Sequence, residues 1–489
     1  MMGASEVGWR LGRSSVPRGV ELWVPFDRTA GVYGPQGSGK TLDLLTPALL
    51  NAPGAALVTL TKPEDLFLTI RRRQLGDRPV AVLDPFDLAP GVPELVWDPV
   101  QGCEDSMVAE RRAKAFTAGT VRGAVTRGAG DEAARFYAAE GAKVLQAYFH
   151  AAALKGHTLE RVLTWLADPR NAGEPEEILR TDPNAAQFWD GLLRGALQGD
   201  DRTAGNTVTT VQQAMALFFL ESIRRRCTPH SGVPATDLED LIRRGGTIYL
   251  LGRDDPYASA SPLMTAVAEH VLDTVLNLAM TSPYGRLCPS FLACLDELPS
   301  TTPLPTLRTR MANERALGVS FIYAAQTWRQ LVICYGEDEA RALFGLTNTI
   351  IVFGAGKDVE FYRELSALIG TTRMLRRSFN HHQGRWAASV HGEDVPVLRP
   401  EELRQLPERH ALVIAENARP FIARLRRCID GKAGRALLQE QSKARTRAAV
   451  ARAAEPQAAR PPATRPQAGW PGDSRSRDKR PRESGHDTG

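Results

Sequence analysis

Eight consecutive residues, Gly34, Pro35, Gln36, Gly37, Ser38, Gly39, Lys40 and Thr41, place glycines, a lysine and a hydroxyl at the spacing G-x-x-x-x-G-K-[ST]. Glycines let backbone N–H groups turn inward around phosphate oxygens. Lysine then reaches the β and γ phosphates, and the threonine hydroxyl holds Mg2+. Such a loop needs a carboxylate for the metal. The apolar run Phe291–Leu295 ends in Asp296 and Glu297. Asp296 is suited to hold Mg2+ through water, and Glu297 to orient or deprotonate an attacking water. Asp84 also ends an apolar run, but it lacks a second acid and ranks lower. Gln326, at the end of the run Val319–Ala325, is expected beside the γ-phosphate, where the carboxyl edge of a sheet binds ligands. The ligands expected from this set are ATP and Mg2+.

The elements that must position these residues are legible as short apolar runs: 30–33, 55–60, 79–83, 247–251, 290–295, 319–324, 348–353 and 410–415. Several are apolar at nearly every position, as in strands of a parallel sheet covered on both faces. Their alternation with helical patterns predicts a doubly wound α/β domain. The loop Gly34–Thr41 lies between one such run and the apolar stretch 42–50, so the helix N-terminus adds a favourable dipole for an anion. Pro47 predicts a kink in that helix. Residues 99–242 break the alternation and carry apolar residues at helical spacing, with Asp131 and Thr207 as expected N-caps. They hold 16 basic and 19 acidic residues, so this all-α insertion is slightly acidic.

The 489 residues exceed what one hydrophobic core usually serves. With 43% hydrophobic and 24% charged residues, the chain is neither wholly disordered nor collagen-like. The net charge of +5 resides in the tail, where 13 Lys/Arg stand against 7 Asp/Glu from Asp430 to Gly489. Apart from Val450, the last fifty residues hold one large apolar side chain, Trp470. That composition predicts a flexible basic tail over 429–489, with a helical start near 433–451. The remaining boundaries are an N-terminal extension at 1–19, a discontinuous α/β domain at 20–98 and 243–428, and the insertion at 99–242. Six cysteines without a C-x-x-C pair predict reduced, mostly buried thiols and a cytoplasmic setting. No run of about 18 apolar residues stands out as a membrane span.

The chain resembles the type IV secretion coupling proteins, the TraG/TraD group of conjugative DNA-transfer ATPases. The matching segments are GPQGSGKTLDLLTPALLNAPGAALVTLTKPEDL, VAVLDPFDL, FLACLDELPSTTPLPTLRTRMANERALGVSFIYAAQTWRQL, YGEDEARALFGLTNTIIVFGAGKDVEFYRELSALIG and LRPEELRQLPERHALVIAENARPFIARLRR. The resemblance implies a RecA-like P-loop NTPase domain with an inserted all-α domain, working as a ring motor, typically hexameric. Lys40, Thr41, Asp296, Glu297 and Gln326 fall on the family's nucleotide-site positions. Arg315 falls on its arginine finger, with Arg308 and Arg310 as the fallback candidates. The all-α domain is implied to dock relaxase-type substrates, with DNA as cargo. Many members begin with transmembrane helices, whereas the 33 residues before Gly34 hold no long apolar run. A membrane-embedded partner is therefore the expected route to the inner face of the membrane. Where the family often has an aspartate, this chain has Leu60-Thr61-Lys62.

DNA contact is expected along 371–391, where Arg373, Arg376, Arg377 and Arg385 interleave with Phe379 and Trp386. Arginine neutralises backbone phosphate and aromatic rings stack on bases. An exposed hairpin is the alternative reading of that segment. Three functional alternatives stand beside the conjugative motor: an FtsK-like translocase on double-stranded DNA, a receptor for secreted proteins, and a non-motor ATP-binding module that recruits a partner.

Overall fold

The computed structural model describes residues 3–16, 18–121, 130–171, 173–252, 259–382 and 385–454; side chains are described for these except at Ser5, Asp131, 377–389 and His391. Thirteen strands are present among them: β1 (Gly8–Ser14), β2 (Glu21–Pro25), β3 (Ala30–Tyr33), β4 (Ala56–Leu60), β5 (Val80–Leu83), β6 (Thr247–Leu251), β7 (Phe291–Leu295), β8 (Val319–Ala325), β9 (Thr349–Phe353), β10 (Thr371–His382), β11 (Arg385–Pro396), β12 (His410–Ala415) and β13 (Phe421–Arg424). Eleven form one sheet in the order β2-β1-β13-β12-β9-β3-β8-β7-β4-β6-β5. From β9 to β5 every neighbour is parallel. β12, β13, β1 and β2 extend one edge as antiparallel strands.

The parallel strands are buried along their whole length, with every residue of β4, β6, β7 and β9 shielded from solvent. That is the condition in which a strand reads as a continuous apolar run, and each of these runs is seen in the sequence. β1 is different. Its glycines make the pattern look like a loop, yet a Cβ at Gly8 would sit 2.6 Å from the carbonyl of Val24, and one at Gly12 2.5 Å from that of Arg424. They are there for close backbone approach. The extension set at 1–19 therefore contributes a strand of the main sheet, paired with β2 and β13.

Helices fill the interval between β5 and β6, including Ser106–Ala118, Asp131–Leu154, Leu159–Ala167, Trp189–Gln198 and Asp201–Ala214. Gly130 rather than Asp131 is the N-cap of the second. Thr207 is interior to the last, whose N-cap is Asp200 accepting from the Thr203 amide. Thr207 donates its hydroxyl to the Thr203 carbonyl instead, a local bond that makes threonine tolerable inside a helix.

Helix Ser261–Thr281 is long and apolar enough to cross a membrane, and 67% of its most apolar window is buried inside the protein. It carries Glu269, His270 and Asp273 into contacts with the rest of the fold. That is how a core helix behaves.

The basic tail does not start as a flexible segment. Gly431–Ala454 is a helix laid against helix Pro63–Arg73, with Leu437 and Ala448 buried. Glu440 pairs with Arg72 at 3.1 Å, and Gln441 donates to the Glu64 carbonyl at 2.9 Å. Small alanines allow close packing, so few large apolar residues are needed. Residues 455–489 of the expected tail lie outside the described residues.

Candidate nucleotide site

The first strand of the site is β3. Gly34 follows it, its amide donating to the Ala325 carbonyl of β8 at 3.2 Å. The chain then turns through Gly37 (φ +79°) and Gly39 (φ +105°), the left-handed region that favours glycine. The next segment, Lys40–Leu45, is a π-helical stretch, with Thr46 N–H bonded to the Thr41 carbonyl; the α-helix Thr46–Asn51 follows. Pro47 falls in the first turn of that α-helix, where its missing N–H costs nothing. The expected kink is thus taken up by the π turn.

Lys40 is 6% exposed, and its ammonium donates to the carbonyls of Gly34 at 2.6 Å and Pro35 at 3.1 Å. Burial lowers its pKa, while the charges of Glu297 and Asp296 oppose the shift. Those two acids arrive at the end of β7, with β8 between β7 and β3. The Thr41 hydroxyl donates to Asp296 Oδ2 at 2.7 Å. The phosphate-loop helix and the end of β7, 255 positions apart, are joined there by one hydrogen bond. The Asp296 carbonyl is held by the hydroxyls of Thr59 and Thr301, each at 3.0 Å. Burial pushes the Asp296 carboxyl up, partly offset by the Thr41 bond.

Glu297 has φ +53°, a strained position for a residue with a Cβ. Its carbonyl accepts from the amides of Ser300 and Thr301, which fixes the turn. The turn aims its carboxylate at Gln326, whose amide nitrogen donates to Oε1 at 2.8 Å and Oε2 at 2.7 Å. Gln326, expected beside the γ-phosphate, donates here to Glu297. Its own backbone is fixed by Gln330, in the capping box that starts helix Trp328–Tyr335.

The residues present fit a magnesium-bound polyphosphate on two observations. Asp296 Oδ1 and Ser38 Oγ are buried without a hydrogen-bond partner in the structure. The loop has no room for a side chain at Gly34, since a Cβ there would lie 2.8 Å from Ser38 Oγ and 2.9 Å from Phe353 Cβ. Thr41 and Asp296 would hold the metal, and the loop amides with Lys40 the phosphates.

Sequence reasoning missed Asp65. It lines the same small cleft as Thr41, Thr59 and Asp296. Burial, followed by the Asp296 charge, raises its pKa to about 6. The available signal was an acid in the first turn of the helix after β4. Lys62 stands exposed at the N-cap of that helix, close enough to act electrostatically on Lys40 and Asp65. Asp84 is spent structurally: its carboxylate caps the amides of Leu88 at 3.0 Å and Ala89 at 2.7 Å, at the far edge of the sheet.

The three arginines considered as fingers separate cleanly. Arg310 is 4% exposed and bound to Glu269 at 2.8 Å, Asp273 at 2.6 Å and Glu314 at 2.8 Å. It is a structural clamp, not a finger. Arg310→Ala is expected to cost about 3–5 kcal/mol of stability by leaving buried carboxylates unpaired, read as a lower midpoint in urea unfolding. Arg308 pairs with Glu339 at 2.7 Å on the surface. Arg315 lies half-buried on the 3-10 turn Glu314–Leu317.

β10 and β11 form a hairpin that pairs only with itself among the described strands. Arg373 and Arg376 are exposed on it, and Arg376 pairs with Glu393 at 3.1 Å. The side chains of Arg377, Arg385 and Trp386 lie outside the described residues.

Known proteins resemble this chain in sequence and fold. Residues 290–408, which hold Asp296, Glu297, Arg315 and Gln326, match the family described as the TraM recognition site of TraD and TraG. Protein VirD4 of Agrobacterium fabrum is 23% identical over 406 residues, which is 80% of this chain and 57% of that protein. Coupling protein TraD of Escherichia coli K12 is 28% identical over 144 residues, 28% of this chain and 18% of TraD. The chain is similar to the type IV secretion coupling proteins. It spans a little over half the length of VirD4. The solved bacterial conjugative coupling protein TrwB, in its unbound form, superposes with a TM-score of 0.58 at 19% identity, covering 85% of this chain and 88% of that one. TrwB has also been solved with the ATP analogue ADPNP and with ADP and Mg2+. The fold of this chain is accordingly the RecA-like P-loop NTPase fold, with a mostly parallel sheet.

Proposed function

We infer that the chain is an ATP-hydrolysing subunit of a coupling-protein ring motor that drives transfer of DNA, or of DNA bound to a relaxase. The observation that carries this reading is the 2.7 Å bond between Thr41 and Asp296, with Glu297 and Gln326 paired alongside at the same sheet edge. In this reading Gly34–Thr41 bind the triphosphate. Thr41 and Asp296 would hold Mg2+, which would supply charge neutralisation at the phosphates. Glu297, held by Gln326, accepts the proton of the attacking water. Arg315 reaches the nucleotide of a neighbouring subunit.

The slightly acidic helical domain suits recognition of a protein partner, a relaxase or another secreted substrate. The basic hairpin suits nucleic-acid backbone, with Arg373, Arg376, Arg377, Arg385 and Trp386 as contacts. The assembly is a homo-oligomer, by family a hexamer, meeting the membrane through an embedded partner. The ATPase rate of the whole chain, measured against single-stranded DNA, double-stranded DNA and no DNA, with particle size followed with and without ATP, tests this. Stimulation by DNA together with a larger, ATP-dependent species is expected. Absence of turnover under all conditions overturns the motor. Stimulation by double-stranded DNA alone moves the reading to an FtsK-like translocase.

A further inference from the structure

The nucleotide site is buttressed from beneath by a segment remote in sequence. Asp43, four residues past Gly39, is 1% exposed, and neither of its carboxylate oxygens has a hydrogen-bond partner in the structure. Among the described residues its ion-pair partner is Arg427, whose Nε stands 3.5 Å from Oδ1 without hydrogen-bonding geometry, with Arg409 farther off. The carboxylate also occupies the space a side chain at Gly39 would need: a Cβ added there would lie 2.5 Å from Asp43 Oδ2. The next residue, Cys428, donates its amide to the Leu42 carbonyl at 2.9 Å. Arg427 in turn is held by Glu408 at 2.9 Å.

The chain then turns sharply and runs as helix Gly431–Ala454 along helix Pro63–Arg73, the element that brings Asp65 to the cleft. A Cβ at Gly434 would fall 1.9 Å from the Ile429 carbonyl carbon, so the turn has no slack. Farther along, Arg452 donates to the Asp87 carbonyl, just past β5, at 2.6 Å. One continuous strap thus touches the phosphate-loop helix, the helix bearing Asp65 and the exit of β5.

The geometry points to Arg427 as a positioning residue for the nucleotide site: through Asp43 it fixes Gly39 in its left-handed conformation, and it ties the phosphate loop to the C-terminal strap. Its effect on nucleotide rests on the function proposed above; its effect on the loop does not. A buried carboxylate beside a phosphate cradle repels the ligand unless a cation compensates it. Arg427 supplies that cation from outside the loop, leaving Lys40 for the phosphates.

The test is a double-variant cycle on the full chain, with Arg427→Gln, Asp43→Asn and the two combined. Amide hydrogen exchange across 37–43 is read without nucleotide, and affinity for a fluorescent ADP is read separately. Arg427→Gln is expected to speed exchange of the Gly39–Thr41 amides and to weaken ADP binding on the order of tenfold, as when a supporting contact is lost. The double variant is expected to return both toward the Asp43→Asn values, because the uncompensated charge is gone. Unchanged exchange in Arg427→Gln, or equally fast exchange in the double variant, overturns the proposal. Should Arg427→Gln fail to fold, the double variant decides alone: slow loop exchange supports the role and fast exchange refutes it. If the unaltered chain binds no ADP, the proposed function falls while the exchange data still decide whether Arg427 positions the loop.

Discussion

Glu297→Gln is expected to lower ATP turnover by about 10²–10⁴-fold while ATP stays bound, the range lost with a general base. The substitution is nearly isosteric. The strained turn at Glu297 is fixed by its backbone carbonyl, which the change leaves alone. A glutamine still offers one oxygen to Gln326, which now donates to both carboxylate oxygens. What it removes is the capacity to accept a proton from water. Lys40→Ala removes something else, the single ammonium inside the phosphate loop, and no measurable turnover is expected from it. Steady-state hydrolysis together with equilibrium ATP binding separates the two: the first variant binds and stalls, the second fails to bind. Normal turnover in both would show that the site formed by Gly34–Thr41 and Asp296–Glu297 is not where the chemistry occurs.

The separation of binding from proton acceptance follows a separation visible in the sequence. The phosphate loop and the Asp296–Glu297 pair are local patterns, each preceded by an apolar run that could only be a buried strand, so both were legible without coordinates. Their meeting was an inference across the helical insertion, and the Thr41–Asp296 bond realises it. The parts that were not legible depend on partners far away in the chain. β1 looks like a loop until Val24 and Arg424 are seen pressing on its glycines. A helical start near 433–451 is readable, but the docking of helix Gly431–Ala454 is not, because alanine packs closely without looking apolar and the partner lies 377 positions upstream. Asp43 and Arg427 are ordinary charged residues in any linear reading; only burial distinguishes Asp43, and only tertiary proximity selects Arg427. Gln326 shows the intermediate case. Its place at a strand end was readable, but its bond to Glu297 depends on the left-handed turn that no local pattern announces.

Arg315→Ala is expected to reduce ATP turnover by about 10³–10⁵-fold, the range associated with a finger arginine, and to do so from outside its own site. Arg315 lies on the turn that leads into β8, whereas Gln326 lies just past the end of that strand. Seven residues of extended chain separate them, about 20 Å at the usual rise per residue. No arginine side chain spans that distance, so Arg315 cannot serve the nucleotide held by its own Gly34–Thr41. In the proposed ring, a neighbouring subunit's nucleotide is the one it would reach. Mixing decides the matter. Arg315→Ala subunits keep an intact phosphate loop, and Lys40→Ala subunits keep an intact finger, so each is inactive alone. In mixed rings the first kind can sit where the second kind offers its arginine, and part of the activity is expected to return, rising and falling with the mixing ratio. A fully active Arg315→Ala enzyme would remove the finger. An inactive single variant with no recovery on mixing would mean that Arg315 supports its own subunit's fold, which the melting temperature of that variant would then show directly.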